Sequence, residues 1–82
     1  MFVYALRSRK DNHFYIGISS NPKARLRQHN LGMTRSTRSR RPFELVYSEK
    51  CLDRVAARKR EKILKSGSGR EFLKSITPHI PR

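Results

Sequence analysis

Phe2-Val3-Tyr4-Ala5-Leu6-Arg7-Ser8-Arg9-Lys10-Asp11-Asn12-His13-Phe14-Tyr15-Ile16-Gly17-Ile18 holds two aromatic and β-branched runs around the turn-forming cluster Lys10-Asp11-Asn12-His13. Such runs flanking such a cluster read as a β-hairpin. With the turn centred on Asp11-Asn12 and no bulge, Tyr4 and Tyr15 point to the same face, and Leu6 and Gly17 lie between them. Four residues of strand then separate the tyrosines by roughly 13 Å. Gly17 leaves a gap in that side-chain layer. Val3, Ala5, Phe14, Ile16 and Ile18 cover the opposite face.

Beyond the hairpin, Asn21-Pro22 is a helix start, because the Asn side chain caps free amides and Pro at the first helical position has no amide to lose. The helix is expected to run to about Leu31 and to end at Gly32. Arg25 and His29, four apart, share one of its faces beside Ala24, Leu26 and Leu31. The segment 33–42 carries Arg35, Arg38, Arg40 and Arg41 among Ser and Thr without an apolar period, and reads as an exposed basic loop. Phe43-Glu44-Leu45-Val46-Tyr47 reads as a third strand joining the hairpin. Asp53 is a cap for a helix over about 53–65, with Leu52, Val55, Ala56, Ile63 and Leu64 as its core-facing set. Ser66-Gly67-Ser68-Gly69 breaks that helix. A last helix from Arg70 to about Ile76 buries Phe72, Leu73 and Ile76, and 78–82 is expected to be a frayed tail. The order ββαβαα predicts an α+β domain over 1–77, a three-stranded mostly antiparallel sheet flanked by helices.

Composition narrows the function. The chain has 82 residues, enough for one small domain and too few for two. Hydrophobic residues at 35% and charged residues at 32% describe a globular chain with a thin core, not a low-complexity or collagen-like one. Twenty Lys and Arg against six Asp and Glu give a net charge of +14, a field suited to an anionic polymer. The single Cys51 makes no internal disulfide and no Cys/His spacing resembles a zinc site, so a reducing, cytoplasmic setting is expected. The apolar run 1–6 is too short for a signal-peptide core or a membrane span.

Taken together, Tyr4, Tyr15-Ile16-Gly17, Arg25 ten residues after Tyr15, His29 four residues further on and Glu61 on a later helix resemble the GIY-YIG nuclease superfamily. The resemblance covers nearly the whole chain. In particular it resembles the small stand-alone members, related to the N-terminal nuclease domain of the excision-repair protein UvrC and to the UPF0213 group. Lys65-Ser66-Gly67-Ser68-Gly69-Arg70-Glu71-Phe72-Leu73 is also similar to the ending of short members. The first motif here is Phe2-Val3-Tyr4, without the Gly-Ile of the family name, and the Asn that some members carry after the Glu helix has no clear counterpart. The resemblance implies metal-dependent hydrolysis of a nucleic-acid phosphodiester, with Tyr4, Tyr15, Arg25, His29 and Glu61 as the site.

These residue types suit that chemistry. Arg25 offers a bidentate guanidinium to phosphate, which Lys matches only as a point charge. Glu61 is a ligand for one hydrated Mg²⁺ or Mn²⁺, which needs only one or two carboxylates beside waters and phosphate. By resemblance Tyr4 or Tyr15 contacts the water or the metal. A phenol with pKa near 10 is a poor base at pH 7 unless neighbours lower it, whereas His29 titrates in a more useful range, as base or as orienter of a tyrosine. Each residue alone has a plainer reading: strand aromatics, solvated helix cations, and for Glu61 an ion pair with Lys65 or Arg58. The stripe Ala57, Glu61, Leu64 sets the carboxylate among small and apolar residues instead. Arg35, Arg38, Arg40, Arg41 and Arg58 are expected to track phosphates without reading sequence. The expected function is a DNA endonuclease acting in repair or recombination. The rivals are a non-catalytic nucleic-acid-binding module on the same scaffold and a small basic protein associated with ribosomal RNA or a protein partner.

Overall fold

A computed structural model describes residues 1–77, and the tail expected over 78–82 lies outside the described residues. The elements are β1 (Phe2–Ser8), β2 (Phe14–Ser19), α1 (Pro22–Asn30), a 3₁₀ turn (Arg38–Arg40), β3 (Phe43–Lys50), α2 (Arg54–Lys65) and α3 (Gly67–Ile76). The strands form one antiparallel sheet in the order β2-β1-β3, as the α+β reading requires. No helix among the described residues is long and apolar enough to cross a membrane.

The hairpin register differs from expectation. Tyr4 faces Gly17 and Leu6 faces Tyr15 across β1 and β2, so the turn is centred one residue earlier than Asp11-Asn12. The cause is local. The Ser8 hydroxyl accepts from the amides of Lys10 (3.1 Å) and Asp11 (3.3 Å), while Asn12 takes the left-handed conformation (φ 63°) that Asn tolerates. The two tyrosines remain on one face, but their ring centroids are 6.5 Å apart, not the roughly 13 Å that the other register gives. A bulge in β3 at Val46 shifts pairing from Ala5 with Tyr47 to Leu6 with Leu45.

β1 lies in the middle of the sheet and is buried on both faces. One face packs Val3, Ala5 and Ile16 against Leu64 of α2 and Leu73 of α3. The other gathers Tyr4, Leu6 and Phe43, with Tyr15, Leu45 and Leu26 of α1. Asn21 Oδ1 caps α1 by accepting from the Ala24 amide (3.1 Å), and Gly32 beyond its end has φ 79°. The Asn30 amide pairs with both backbone groups of Phe43, tying the end of α1 to the start of β3.

Asp53 caps α2 by accepting from the Ala56 amide (2.8 Å). Of the core set expected for this helix Leu64 is buried as expected, but the rest is corrected: Leu52 is 94% exposed, Val55 and Ile63 are exposed, Ala56 is half-buried, and Ala57 is the other buried residue. The observed phase is that of the Ala57, Glu61, Leu64 stripe. α3 starts earlier than expected, at Gly67, because Ser66 ends α2 and caps α3 at once. The two helices cross at Gly69, where a Cβ would overlap the Ile63 carbonyl and the Leu64 backbone. In α3 Leu73 is buried as expected. Phe72 and Ile76 stay largely exposed, with Phe72 set edge-on to Tyr47 at 5.4 Å.

The segment between α1 and β3 is also corrected, since it is not simply an exposed loop. Thr37 is buried, Arg38–Arg40 forms a 3₁₀ turn, and Ser8 Oγ donates to the Arg40 carbonyl (2.6 Å). Lys10 Nζ donates to the Ser39 carbonyl (3.1 Å). The hairpin tip and this segment therefore hold each other.

Candidate active site

The two-residue shift in pairing that follows from the earlier turn builds the centre of the site. Gly17 faces Tyr4, and the Tyr4 phenol lies over it so closely that an added Cβ would stand 2.7 Å from Oη and 2.9 Å from Cζ. The gap at Gly17 is thus the seat of the Tyr4 ring, which is 1% exposed. Arg25, on the second turn of α1, lies near enough to both tyrosines for its guanidinium to act on the Tyr4 phenol and for both rings to act on the guanidinium. Its Nη1 also donates to Gln28 Oε1 (2.8 Å), which fixes the side chain's direction. Burial pushes the Tyr4 phenol above its ordinary pKa and outweighs the Arg25 hydrogen bond that pulls it down. At neutral pH Tyr4 is therefore a neutral hydrogen-bonding group.

His29 follows Arg25 by one helical turn and is 0% exposed. Its ring lies 4.7 Å from that of Tyr15 and 6.0 Å from Phe43, and Nδ1 is 2.8 Å from Thr37 Oγ1. The Thr37 hydroxyl donates to the Thr34 carbonyl (3.3 Å), so its oxygen is left to accept from Nδ1–H. That assigns the tautomer with an unprotonated Nε2, which has no hydrogen-bond partner among the described residues. Burial first, and the Arg25 charge second, lower the pKa of His29 and keep it neutral.

Glu61 reaches the same neighbourhood from α2, close enough for its charge to act on Tyr4. Its side chain is 18% exposed and pairs with the 56% exposed Lys65 at 3.3 Å. Both expectations for this residue are therefore met at once: the carboxylate sits on the inward stripe and also carries the i,i+4 pair. Among the described residues no three His, Cys, Asp or Glu side chains cluster as a metal cage. The donor set fits a hydrated Mg²⁺ or Mn²⁺ held by one carboxylate and its own waters, and does not fit a dehydrated, fully protein-ligated ion. Glu49 is engaged elsewhere: it accepts from Tyr47 Oη (2.5 Å) and Arg60 Nε (2.9 Å), and both bonds hold its carboxyl below the usual range. Glu71 is exposed and faces Lys74 at 3.7 Å.

Among the expected phosphate-tracking residues, Arg35 and Arg58 are exposed. Arg38 Nε donates to the Gly32 carbonyl and Arg41 Nε to the Arg38 carbonyl, each at 2.9 Å. Arg40 pairs with Asp11 at 3.1 Å and lies over the Phe43 ring at 5.9 Å. Three of the loop arginines thus spend one nitrogen on holding the fold. Thr37 and Gln28, which orient His29 and Arg25, were missed in the sequence. Their positions follow from how the basic segment folds back on α1, and neither residue has a spacing signal of its own.

Comparison with known proteins identifies the family of the chain. The family model described as the GIY-YIG catalytic domain matches residues 1–74. The UPF0213 protein of Desulfotalea psychrophila is 46% identical over 66 residues, 78% of this chain and 59% of its own length. The UPF0213 protein of Staphylococcus haemolyticus is 38% identical over 76 residues, 92% of each chain, and that of Oceanobacillus iheyensis is 37% identical over 76 residues, 92% of this chain and 87% of its own. The chain therefore spans little more than half of the first relative and nearly all of the other two. No solved structure matches the chain. Tyr4, Tyr15 and Arg25 lie within the matched span, and the chain belongs to the GIY-YIG family of the nuclease superfamily, with UPF0213 proteins as its relatives.

Proposed function

We propose that the chain is a metal-dependent endonuclease that hydrolyses phosphodiester bonds of DNA, serving repair or recombination. The carrying observation is the grouping of Tyr4, Tyr15 and Arg25, with the Glu61 charge near enough to act on Tyr4, on a domain of net charge +14. Arg25 holds the scissile phosphate and offsets the charge that develops in the transition state. Tyr4, neutral and enclosed, keeps the guanidinium aimed. Tyr15 is half-buried, and as the more accessible phenol it meets the attacking water. His29, sealed from solvent, acts through the Tyr15 ring that it touches and is a positioning residue. A single Mg²⁺ or Mn²⁺ on Glu61 would supply Lewis-acid stabilisation at the phosphate oxygens. Lys65 must release the carboxylate for this, and its exposed side chain is free to turn outward.

One observation favours a second reading, a binding module that cuts nothing: Lys65 already neutralises the one carboxylate near the tyrosines. Nicking of supercoiled plasmid with Mg²⁺, Mn²⁺ or EDTA separates the two, using wild type, Glu61→Gln and Arg25→Ala with folding checked by circular dichroism. Metal-dependent nicking lost in both variants supports the nuclease. Salt-sensitive binding without cleavage, unchanged or tighter in Glu61→Gln, refutes it in favour of the module.

A further inference from the structure

The free edge of β2 borders a cleft of about 640 Å³ that shares only Tyr15 with the reacting residues. Its apolar floor is formed by Phe14 and Ile16 of β2 and Leu64 of α2. Arg40, Lys65, Arg70 and Lys74 stand on its rim, and no acidic residue lines it among the described residues. The backbone adds a second feature. Ser8 N–H donates to the His13 carbonyl (2.9 Å), so hydrogen-bonded pairs with β1 fall at His13, Tyr15 and Gly17. The N–H and C=O groups of Phe14 and Ile16 consequently point away from β1, toward the cleft side.

The cleft is continuous with the proposed reacting centre at two points. Tyr15 is common to both, and Lys65 lines the cleft while pairing with Glu61. We infer that this cleft receives one unpaired nucleotide next to the scissile phosphate, so that the substrate is single-stranded on that side of the cut. Apolar side chains take the base face, the free edge of β2 offers donors and acceptors to its edge, and the rim cations take the flanking phosphates. The volume lies within the range of small-ligand pockets and admits a nucleotide, whereas a duplex, whose major groove alone is about 12 Å wide, stays outside. The inference rests on Tyr15 and Glu61 as the reacting centre, but its test does not require turnover.

Fluorescence anisotropy in EDTA, with the full chain, compares a labelled eight-nucleotide oligothymidylate with a hairpin duplex of equal charge. The variant is Arg70→Ala with Lys74→Ala, two exposed positions on α3 outside the reacting residues. The expected result is a loss of about tenfold or more for the single strand and under twofold for the duplex. The single-strand salt slope should also fall by about 1.4, from ~0.7 per phosphate contact. Equal losses on both probes, or none, overturn the inference. So does tighter binding of an acidic peptide that the same variant abolishes, which would make the free edge a peptide-docking strand. Because cleavage is blocked throughout, an inactive protein that still shows the single-strand difference refutes the nuclease reading alone.

Discussion

Gly17→Ala tests the packing on which the site depends. The φ of Gly17 is not in the left-handed region, so alanine meets no backbone penalty and the whole effect must come from its methyl. That methyl would stand 2.7 Å from Tyr4 Oη and 2.9 Å from Cζ. Carbon atoms ordinarily meet at about 3.5 Å or more, so the phenol must retreat by roughly 0.6–0.8 Å. It has no room to do so, being wedged among Leu6, Phe43 and Leu26. Overpacking of this kind costs about 1–3 kcal/mol, and each kcal/mol lowers Tm by about 4–8 °C in a domain of this size. The hydroxyl also leaves its place beside Arg25. Urea unfolding followed by circular dichroism, alongside plasmid nicking, should show a less stable protein whose cleavage falls further than its folded fraction. In a double-mutant cycle, Tyr4→Phe should return part of the loss, with a coupling of about 0.5–1.5 kcal/mol, because it removes the nearest clashing atom. An alanine variant with unchanged unfolding midpoint and unchanged nicking would refute the account of Gly17 as the seat of the Tyr4 ring.

Thr37→Val should cost about 1–3 kcal/mol by leaving the buried Nδ1–H of His29 unpaired, whereas Thr37→Ser retains the bond; denaturant midpoints of the two variants check this. The same valine should alter the pH profile of nicking, and serine should restore it. His29 has a folded-state pKa below its unfolded value, so the unfolded chain binds the extra proton first as pH falls. Its contribution to stability is present above about pH 6.5 and is lost as pH drops through the folded-state value, a slope in urea titrations that His29→Asn should remove. Gly69→Ala should destabilise strongly, because its Cβ meets the Leu64 backbone, while Gly67→Ala, with open space around it, should be neutral or stabilising by up to about 1 kcal/mol; thermal melts compare them.

Much of the fold was legible because local chemistry and packing agree. Asn21-Pro22 and Asp53 are caps in the structure as their side chains predict, and the two faces of the hairpin carry the expected residues. The misread parts have tertiary causes. The hairpin register depends on Ser8, whose hydroxyl moves the turn by one residue, and parity alone kept both tyrosines on one face. At α2 the apolar residues Leu52, Val55 and Ile63 suggested a phase that the sheet does not accept, because close packing selects Ala57 beside the expected Leu64. The candidate site was legible as residue types at spacings. The enclosure of His29 was not, since it depends on Thr37 folding back from a segment with no apolar period. The cleft beside β2 was equally invisible, being formed by residues from the hairpin, the 3₁₀ turn and both later helices.

The basic segment is tethered at its 3₁₀ turn to Ser8 and Asp11, at Thr37 to His29, and through Arg38 to Gly32. On the proposed reading, an arriving nucleic acid would meet guanidinium groups whose backbone is already set and whose stems are partly held. Immobilising a long side chain on association costs about 0.5–1.5 kcal/mol, and each arginine anchored beforehand removes some of that cost. The same tethering limits adaptation, so on that reading the surface would accept a backbone of particular shape and disfavour one that required the arginines to rearrange.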